Sequence, residues 1–285
     1  MTDKFATREF GSTRRQVARI GQGTWKIAAA QAAAAAAALR RGLDLGLTHI
    51  DTAEMYGSGA SERVIAKAIE GRRGEVFLVS KVLPTNASKK GTIAACEKSL
   101  ARLRTDRLDC YLLHWRGNIP LLETVAALEQ LVSAGKIRSW GVSNFDAEDL
   151  DELLDVAGEG KVARNQVLYH LQERAIEHAV IPWCVKHGVA VVAYSPFGHN
   201  DFPNPKTKGG EILQAIATRN NASARQVALA FLTRSPAVFA IPKAASAEHA
   251  ADNAAAGSLA LGEEDIASLD KAFPRGPKPR SLPML

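Results

Sequence analysis

Short apolar runs that are typical of buried strands alternate along the chain with longer segments of helical periodicity. The strand-like runs are Ile20–Thr24, Thr48–Asp51, Val76–Lys81, Leu108–His114, Ile137–Ser143, Ala163–Tyr169, Val189–Ser195 and Val238–Pro242. The helical segments are Gln31–Leu45, Ser61–Glu70, Thr92–Leu103, Leu121–Ala134, Ala147–Asp155, Ala175–Lys186, Gly209–Arg234 (split near Asn220) and Ala247–Ala256. Eight strands alternating with eight helical segments are what a closed parallel barrel requires. The pattern predicts an α/β fold, a (β/α)8 TIM barrel, although periodicity alone leaves an open doubly wound sheet as an alternative.

Two further segments lie outside this alternation. Residues 5–18 contain a turn signal at Gly11-Ser12 and are expected to form an N-terminal hairpin that plugs the bottom of the barrel. Residues Glu263–Phe273 are predicted to form an extra C-terminal helix, and residues 274–285 a flexible tail. Because no interdomain linker interrupts the pattern, residues 1–285 are predicted to form a single domain.

Composition narrows the range of partners. The chain has 46% hydrophobic and 23% charged residues, which is ordinary for a soluble globular protein. Its net charge of +6 admits an anionic partner, but the basic residues are scattered and lack interleaved aromatic residues, so we expect no nucleic-acid site. The sequence contains no long apolar run, no signal peptide at MTDKFATREF and no CxxC spacing among its three cysteines. We therefore expect a cytoplasmic monomer with no membrane segment and no bound metal.

Three successive predicted strands end in a polar titratable residue, namely Asp51, Lys81 and His114. Each has an ordinary alternative explanation: a carboxylate that caps a helix, an amine that extends into solvent, or a structural histidine. In parallel barrels, however, the carboxyl ends of neighbouring strands converge on one rim, where active sites are built. We therefore expect the carboxylate, the ammonium and the imidazole to share a small space.

A fourth candidate, Tyr56, lies in the loop five residues after Asp51. A phenol with an ordinary pKa near 10 is a poor proton donor, but a nearby ammonium favours the phenolate and lowers that pKa. Asp51 would hold Lys81 charged, and His114 would donate a hydrogen bond to a substrate oxygen. Such a site suits carbonyl reduction, yet it contains no hydride source, which implies a nicotinamide cofactor.

These residues also carry a resemblance to the aldo-keto reductase family. The matching motifs, in family order, are His49–Gly57, Lys81, Leu113–Trp115, Gly141–Phe145, Asn165-Gln166, Tyr169-His170, Ala193–Pro196 and Ile241–Lys243. The resemblance extends from about residue 18 to residue 270, and within the family it is nearest to short bacterial members of methylglyoxal-reductase type.

The resemblance implies roles for the four candidates and for further positions. Tyr56 would be the general acid, Lys81 and Asp51 its tuning pair, and His114 the group that orients the carbonyl. Trp25 and Trp115 would be walls of the substrate pocket, with ordinary packing as the alternative. The implied cofactor-binding residues are Gly23, Thr24, Trp25, Asp51, Ser143, Asn144, Gln166, Tyr194, Ser195, Pro196, Phe197, Ile241, Pro242, Lys243, His249, Asp252 and Asn253.

The adenosine end departs from the pattern of many family members, which place an arginine where this chain has His249. Lys243 can still meet a 2′-phosphate as a point charge, but the bidentate fork of arginine is lost and histidine is largely neutral at pH 7. NADP(H) is the expected cofactor, and NAD(H) is kept as an alternative.

The expected function is NADPH-dependent reduction of small aldehydes and ketones, such as methylglyoxal-like or aromatic aldehydes, to alcohols. Hydride would come from nicotinamide and the proton from Tyr56. Two alternatives stay open: a cofactor-binding regulatory subunit resembling potassium-channel β-subunits, and a barrel isomerase or aldolase with Lys81 as the Schiff-base amine. The short loop Arg116–Pro120 predicts an open, permissive pocket.

Overall fold

The computed structural model of the protein describes residues 7–27 and 31–285. Its first element is an antiparallel hairpin of β1 (Thr7–Glu9) and β2 (Gln16–Ala18), joined through a short 3-10 turn at Gly11–Thr13. The predicted N-terminal hairpin is therefore confirmed. Its first two predicted residues lie outside the described part of the chain.

Eight parallel strands follow and form one sheet. They are β3 (Gln22–Gly23), β4 (His49–Asp51), β5 (Phe77–Val82), β6 (Cys110–Leu113), β7 (Trp140–Ser143), β8 (Val162–Leu168), β9 (Ala190–Tyr194) and β10 (Val238–Ala240). Each strand pairs with the next one along the chain. The strands are almost entirely buried, which explains why their sequences are nearly continuous apolar runs.

The sheet closes on itself between its first and last strands. The backbone N–H of Gly21 donates to the carbonyl oxygen of Ala240 at 2.8 Å, and that of Gly23 donates to Pro242 at 3.0 Å. These bonds are the ones an open doubly wound sheet would lack. The (β/α)8 barrel prediction is therefore confirmed, and the open-sheet alternative is wrong.

The hairpin closes the amino-terminal end of the barrel. Phe10 is completely buried, with its ring centroid 4.8 Å from that of Phe77 and 4.8 Å from that of Phe239. Gly11, at φ +49°, packs so closely on the backbone of Ala163 that a Cβ would overlap the carbonyl oxygen. The hairpin therefore covers this end of the barrel and leaves the opposite end open for a site.

Ten α-helices lie outside the barrel in the described residues. They are α1 (Ala32–Asp44), α2 (Ala60–Ala68), α3 (Lys89–Leu103), α4 (Leu121–Ser133), α5 (Ala147–Ala157), α6 (Val180–Lys186), α7 (Lys208–Arg219), α8 (Ala224–Leu232), α9 (Ala247–Ala255) and α10 (Glu263–Ala272). The predicted break near Asn220 and the extra C-terminal helix are confirmed. Within residues 7–27 and 31–285, no helix combines the length and the apolar character needed to cross a membrane.

The predicted start of one helix is wrong. The sequence predicted a continuous helix over Ala175–Lys186, but the structure has a 3-10 turn at Ala175–Glu177 and α6 begins only at Val180. Pro182 explains the difference, because proline has no N–H to donate and is tolerated only in the first turn of a helix.

The segment after α10 returns to the open end of the barrel. Leu282 packs against the apolar core, and the backbone N–H of Leu285 donates to the Tyr194 hydroxyl at 3.4 Å. Leu285 therefore lies beside the barrel mouth. The flexibility of residues 274–285 stays a prediction.

Candidate active site

A cavity of about 340 Å³ opens at the carboxyl ends of the strands. The predicted site residues that line it are Gly23, Thr24, Trp25, Asp51, Tyr56, His114, Trp115, Ser143, Asn144, Gln166, Tyr194, Ser195, Pro196, Phe197, Ile241 and Lys243. Lys81 does not line the cavity but contacts Asp51 and Tyr56, which do. Pro242, His249, Asp252 and Asn253 are not part of the lining in the described chain.

Lys81 is completely buried and uses all three of its N–H bonds. Its Nζ donates to Asp51 Oδ1 at 2.5 Å, to the carbonyl oxygen of Thr52 at 2.7 Å and to the Tyr56 hydroxyl oxygen at 3.4 Å. Three acceptors around one nitrogen require the ammonium form. Because Lys81 is the donor in its contact with Tyr56, the phenol keeps its own proton free for donation.

Burial dominates the acidity of Tyr56. Removal from water raises the pKa of the phenol, the charge of Asp51 raises it further, and the charge of Arg164 opposes both. The expectation that this pKa is lowered toward neutrality is therefore corrected, because desolvation penalises the phenolate more than the nearby cations favour it. The phenol is protonated at neutral pH, as a proton donor must be.

His114 stands edge-on to Tyr56, with the ring centroids 5.8 Å apart and the planes at 70°. Burial, reinforced by the charge of Lys81, lowers the pKa of His114 to about 3. The imidazole is therefore neutral under ordinary conditions and carries one N–H. It can donate a hydrogen bond to a carbonyl oxygen without competing with Tyr56 as an acid.

A second polar network joins the ends of β7, β8 and β9. The Ser143 hydroxyl donates to the carbonyl oxygen of Gln166 at 2.8 Å, and the Asn144 amide donates to the Ser143 oxygen at 3.2 Å. The Tyr194 hydroxyl donates to Asn144 Oδ1 at 2.9 Å. The structure thus brings these four predicted residues together on one side of the cavity.

Sequence reasoning missed Arg164, a completely buried charge on β8. Its Nη2 lies 3.0 Å from Asp51 Oδ2, and its Nη1 lies 3.2 Å from Nε2 of His49. Strand periodicity was the available signal, because Arg164 lies two residues before Gln166 and therefore projects from the same face.

A family model described as "Aldo/keto reductase family" matches residues 19–273. The chain belongs to the aldo/keto reductase family. It is 48% identical over 257 residues to methylglyoxal reductase YeaE of Escherichia coli (strain K12), covering 90% of each chain. It is 36% identical over 240 residues to glyoxal reductase of Bacillus subtilis (strain 168), covering 83% of this chain and 84% of that protein. A crystal structure of an aldo/keto reductase from Klebsiella pneumoniae in complex with NADP and acetate matches with a TM-score of 0.92 at 47% identity, covering 99% of this chain and 100% of that chain.

The rim of this aldo/keto reductase carries two lysines beside an aromatic pair. Lys243 Nζ donates to the carbonyl oxygen of Lys26 at 2.7 Å, while Lys26 Nζ lies 4.4 Å from the ring centroid of Trp25. The ring of Trp25 is also 5.7 Å from that of His199. Burial and the charge of Lys26 lower the pKa of Lys243. Two lysine side chains at one rim nevertheless suit it to anionic groups.

Three of the four predicted cofactor residues that do not line the cavity, all but Pro242, lie on α9. His249 is exposed in the first turn, where its N–H donates to the Ser246 side chain at 3.2 Å. Asp252 accepts a 2.7 Å hydrogen bond from Gln226, and Asn253 is buried. Of the three, His249 is the one whose side chain is open to a ligand.

Proposed function

We propose that the protein reduces small aldehydes and ketones to alcohols with NADPH, taking hydride from nicotinamide and a proton from Tyr56. The observation that carries this proposal is the buried chain of contacts from Asp51 through Lys81 to Tyr56, with neutral His114 facing the same cavity. The methylglyoxal and glyoxal reductases named above support the substrate class, since this chain resembles them over most of its length.

The residues around the cavity fit a nicotinamide cofactor. A carboxamide needs both donors and acceptors, which Ser143, Asn144 and Gln166 offer together. The ring of Tyr194 lies beside them and would stack on nicotinamide, and the two rim lysines would meet phosphate oxygens. When bound, the cofactor supplies the hydride. The NADP complex of the related crystal structure supports the choice of NADP(H), with NAD(H) as the alternative.

The side chains of this protein supply the proton and stabilise the charge that its transfer leaves behind. His114 would donate a hydrogen bond to the carbonyl oxygen, and Tyr56 would transfer its O–H proton to that oxygen as negative charge develops there. The electron pair of the broken O–H bond remains on Tyr56 as phenolate. Lys81, 3.4 Å away, would stabilise that phenolate, and Asp51 would keep Lys81 charged and in place.

The cavity favours compact carbonyl compounds. Trp25 and Trp115 line it as half-buried rings, and the exposed side chain of Met55 lies at its edge. Aromatic and apolar walls with a few convergent polar groups bind small partly apolar ligands. We infer that methylglyoxal-like and aromatic aldehydes fit best.

Both alternatives are disfavoured. A Schiff-base role would require Lys81 to give up contacts with Asp51, Thr52 and Tyr56 and to reach the cavity from a completely buried position. A channel-associated regulatory role has no support from the two relatives named above, which are reductases. We further propose a single-domain cytoplasmic monomer, since all three cysteines are free and buried and the exposed large apolar side chains of the described residues are few.

NADPH oxidation at 340 nm against methylglyoxal, aromatic aldehydes, ketones and sugars tests the proposed function. We expect turnover with the small aldehydes and slower or no turnover with sugars. Borohydride treatment with each carbonyl compound, followed by mass spectrometry, should leave Lys81 unmodified. Absence of NADPH oxidation across the panel would contradict the reductase assignment, and a borohydride adduct on Lys81 would favour the Schiff-base alternative.

A further inference from the structure

Arg164 is a charged residue in the barrel interior that the proposed mechanism leaves without a role. Barrel interiors are packed mainly with branched apolar side chains, and a buried charge persists only where partners compensate its desolvation. Arg164 is 0% exposed. Gly141 on the neighbouring strand makes room for it, because a Cβ there would lie 2.9 Å from Arg164 Cγ.

The guanidinium is oriented toward the site. Its Nη2 donates to Asp51 Oδ2 at 3.0 Å and also to Gln166 Oε1, while Nη1 donates to His49 Nε2 at 3.2 Å. On the other side, the guanidinium carbon lies 5.9 Å from the ring centroid of Phe10. Arg164 therefore separates the hydrophobic plug from the polar site above it.

Asp51 is shared between two cations. Its Oδ1 accepts from Lys81 at 2.5 Å and its Oδ2 from Arg164 at 3.0 Å. The Gln166 side-chain amide bridges Arg164 and Asp51. Its Oε1 accepts from Arg164, and its Nε2 lies 3.3 Å from Asp51 Oδ1. One guanidinium thus fixes both the carboxylate that holds Lys81 and the amide that faces the cavity.

We propose that Arg164 is a positioning residue of the reductase site, which clamps Asp51 and Gln166 and leaves the Lys81 ammonium incompletely neutralised beneath Tyr56. The inference rests on the proposed function. One carboxylate with two cations gives a buried net positive charge, which stabilises the phenolate that remains after proton donation. A simple Asp51–Lys81 pair would be neutral and would stabilise it less.

Burial and charged partners shift the pKa values of the groups around Tyr56 and Arg164. Burial lowers the pKa of Lys81, and the charge and hydrogen bond of Asp51 oppose that shift. The titratable groups that face Tyr56 or Arg164 are His49 and Asp51 on β4, Lys81 on β5, Cys110 on β6, His114 after β6, and Tyr194 on β9. Burial lowers the pKa of both histidines to about 3, raises that of the cysteine to about 11 and raises that of Tyr194 to about 12. Burial acts against ionised Asp51, but the adjacent charges of Lys81 and Arg164 lower its pKa overall. Removing Arg164 therefore removes one fixed charge without a substitute.

The test compares Arg164→Met and Arg164→Gln, which remove the charge, with Arg164→Lys, which keeps it. The charge of Arg164 lowers the pKa of the Tyr56 phenol, so losing that charge raises it, by on the order of one pH unit for a buried charge that is not in direct contact. We expect kcat for reduction to fall about three- to tenfold in the neutral variants with little change in KM. The pH at which alcohol oxidation stops rising should move up by a similar amount, and Arg164→Lys should retain the wild-type value.

Melting temperatures measured in parallel separate this role from a purely structural one. A structural role would lower stability in all three variants without moving kcat or the pH profile. Wild-type kcat and pH profile in a folded neutral variant would overturn the inference. If both neutral variants fail to fold, Arg164→Lys decides alone: we expect the wild-type pH profile, because the charge stays, and a lower kcat, because one ammonium cannot hold Asp51 and Gln166 together. Unchanged kcat in that variant would overturn the inference. Wild-type enzyme without reductase activity would instead refute the proposed function.

Discussion

Replacing Lys81 with methionine removes the ammonium that contacts Tyr56 and keeps an unbranched stem of similar length. Nζ lies 3.4 Å from the phenol oxygen, and a unit charge at that distance stabilises a phenolate by about 5 kcal/mol at an effective dielectric constant of about 20. If about half of that stabilisation is present when the proton is half transferred, the rate of reduction falls roughly a hundredfold. The variant should still bind NADPH, since Lys81 does not line the cavity.

The variant is expected to fold because Asp51 keeps a partner. Arg164 remains 3.0 Å from Asp51 Oδ2, so the carboxylate is not left as an isolated buried charge. Lys136→Met is a matched control, since it removes a surface lysine that pairs with Glu97 far from the cavity lining. It should retain wild-type activity and nearly wild-type stability.

The assay combines NADPH oxidation with methylglyoxal, NADPH titration by tryptophan fluorescence, and thermal denaturation. We expect the Lys81 variant to be folded, to bind cofactor and to turn over about a hundred times more slowly than wild type. A folded variant with less than a threefold loss would show that the ammonium does not act on Tyr56, and the electrostatic argument would fail.

Three further perturbations test other parts of the structure. His249→Arg places a guanidinium on the exposed first turn of α9 and should raise NADPH affinity about two- to fivefold, with no gain for NADH and a smaller gain at high salt; equal gains for both cofactors would contradict a 2′-phosphate contact. Burial acts against ionised Glu177, but the hydrogen bonds and charges of its arginine and tyrosine partners lower the pKa of Glu177 overall from 4.5 to about 2. The contribution of Glu177 to stability is therefore complete above pH 4.5 and is lost as the pH falls toward 2. Urea midpoints should follow that window in wild type and not in Glu177→Gln; parallel curves would refute the linkage. Phe10→Ala should leave a cavity in the hairpin plug and lower the free energy of unfolding by about 3–5 kcal/mol. A loss below about 1 kcal/mol by urea denaturation would show that the plug contributes little to stability.

The order of elements could be predicted from the sequence because buried parallel strands and amphipathic helices have different periods. Periodicity alone could not distinguish a closed barrel from an open sheet, because closure depends on contacts such as the hydrogen bond between Gly21 and Ala240, which are more than two hundred residues apart. The start of α6 was missed although Pro182 marks it. The helical periodicity predicted that a helix is present in this segment, but Pro182 determines where the helix starts.

The candidate site was predictable where strand ends converge, as for Asp51, Lys81 and His114. Arg164 was not expected because a charge in an apolar strand is normally unfavourable, and only the three-dimensional arrangement shows the carboxylate that compensates it. The acidity of Tyr56 was misjudged for a related reason, since the depth of burial cannot be read from loop spacing. Partners separated widely in sequence decide both properties.

The most direct test of the account is Tyr56→Phe, which deletes one oxygen and keeps the ring. Because the hydroxyl would act on the carbonyl oxygen and not on the nucleotide, NADPH affinity measured by tryptophan fluorescence should stay within about twofold of wild type. NADPH oxidation with methylglyoxal should fall by at least about 10²–10⁴, as expected for the loss of a general acid. A variant that binds NADPH and reduces methylglyoxal at the wild-type rate would contradict the assignment of Tyr56 as the proton donor.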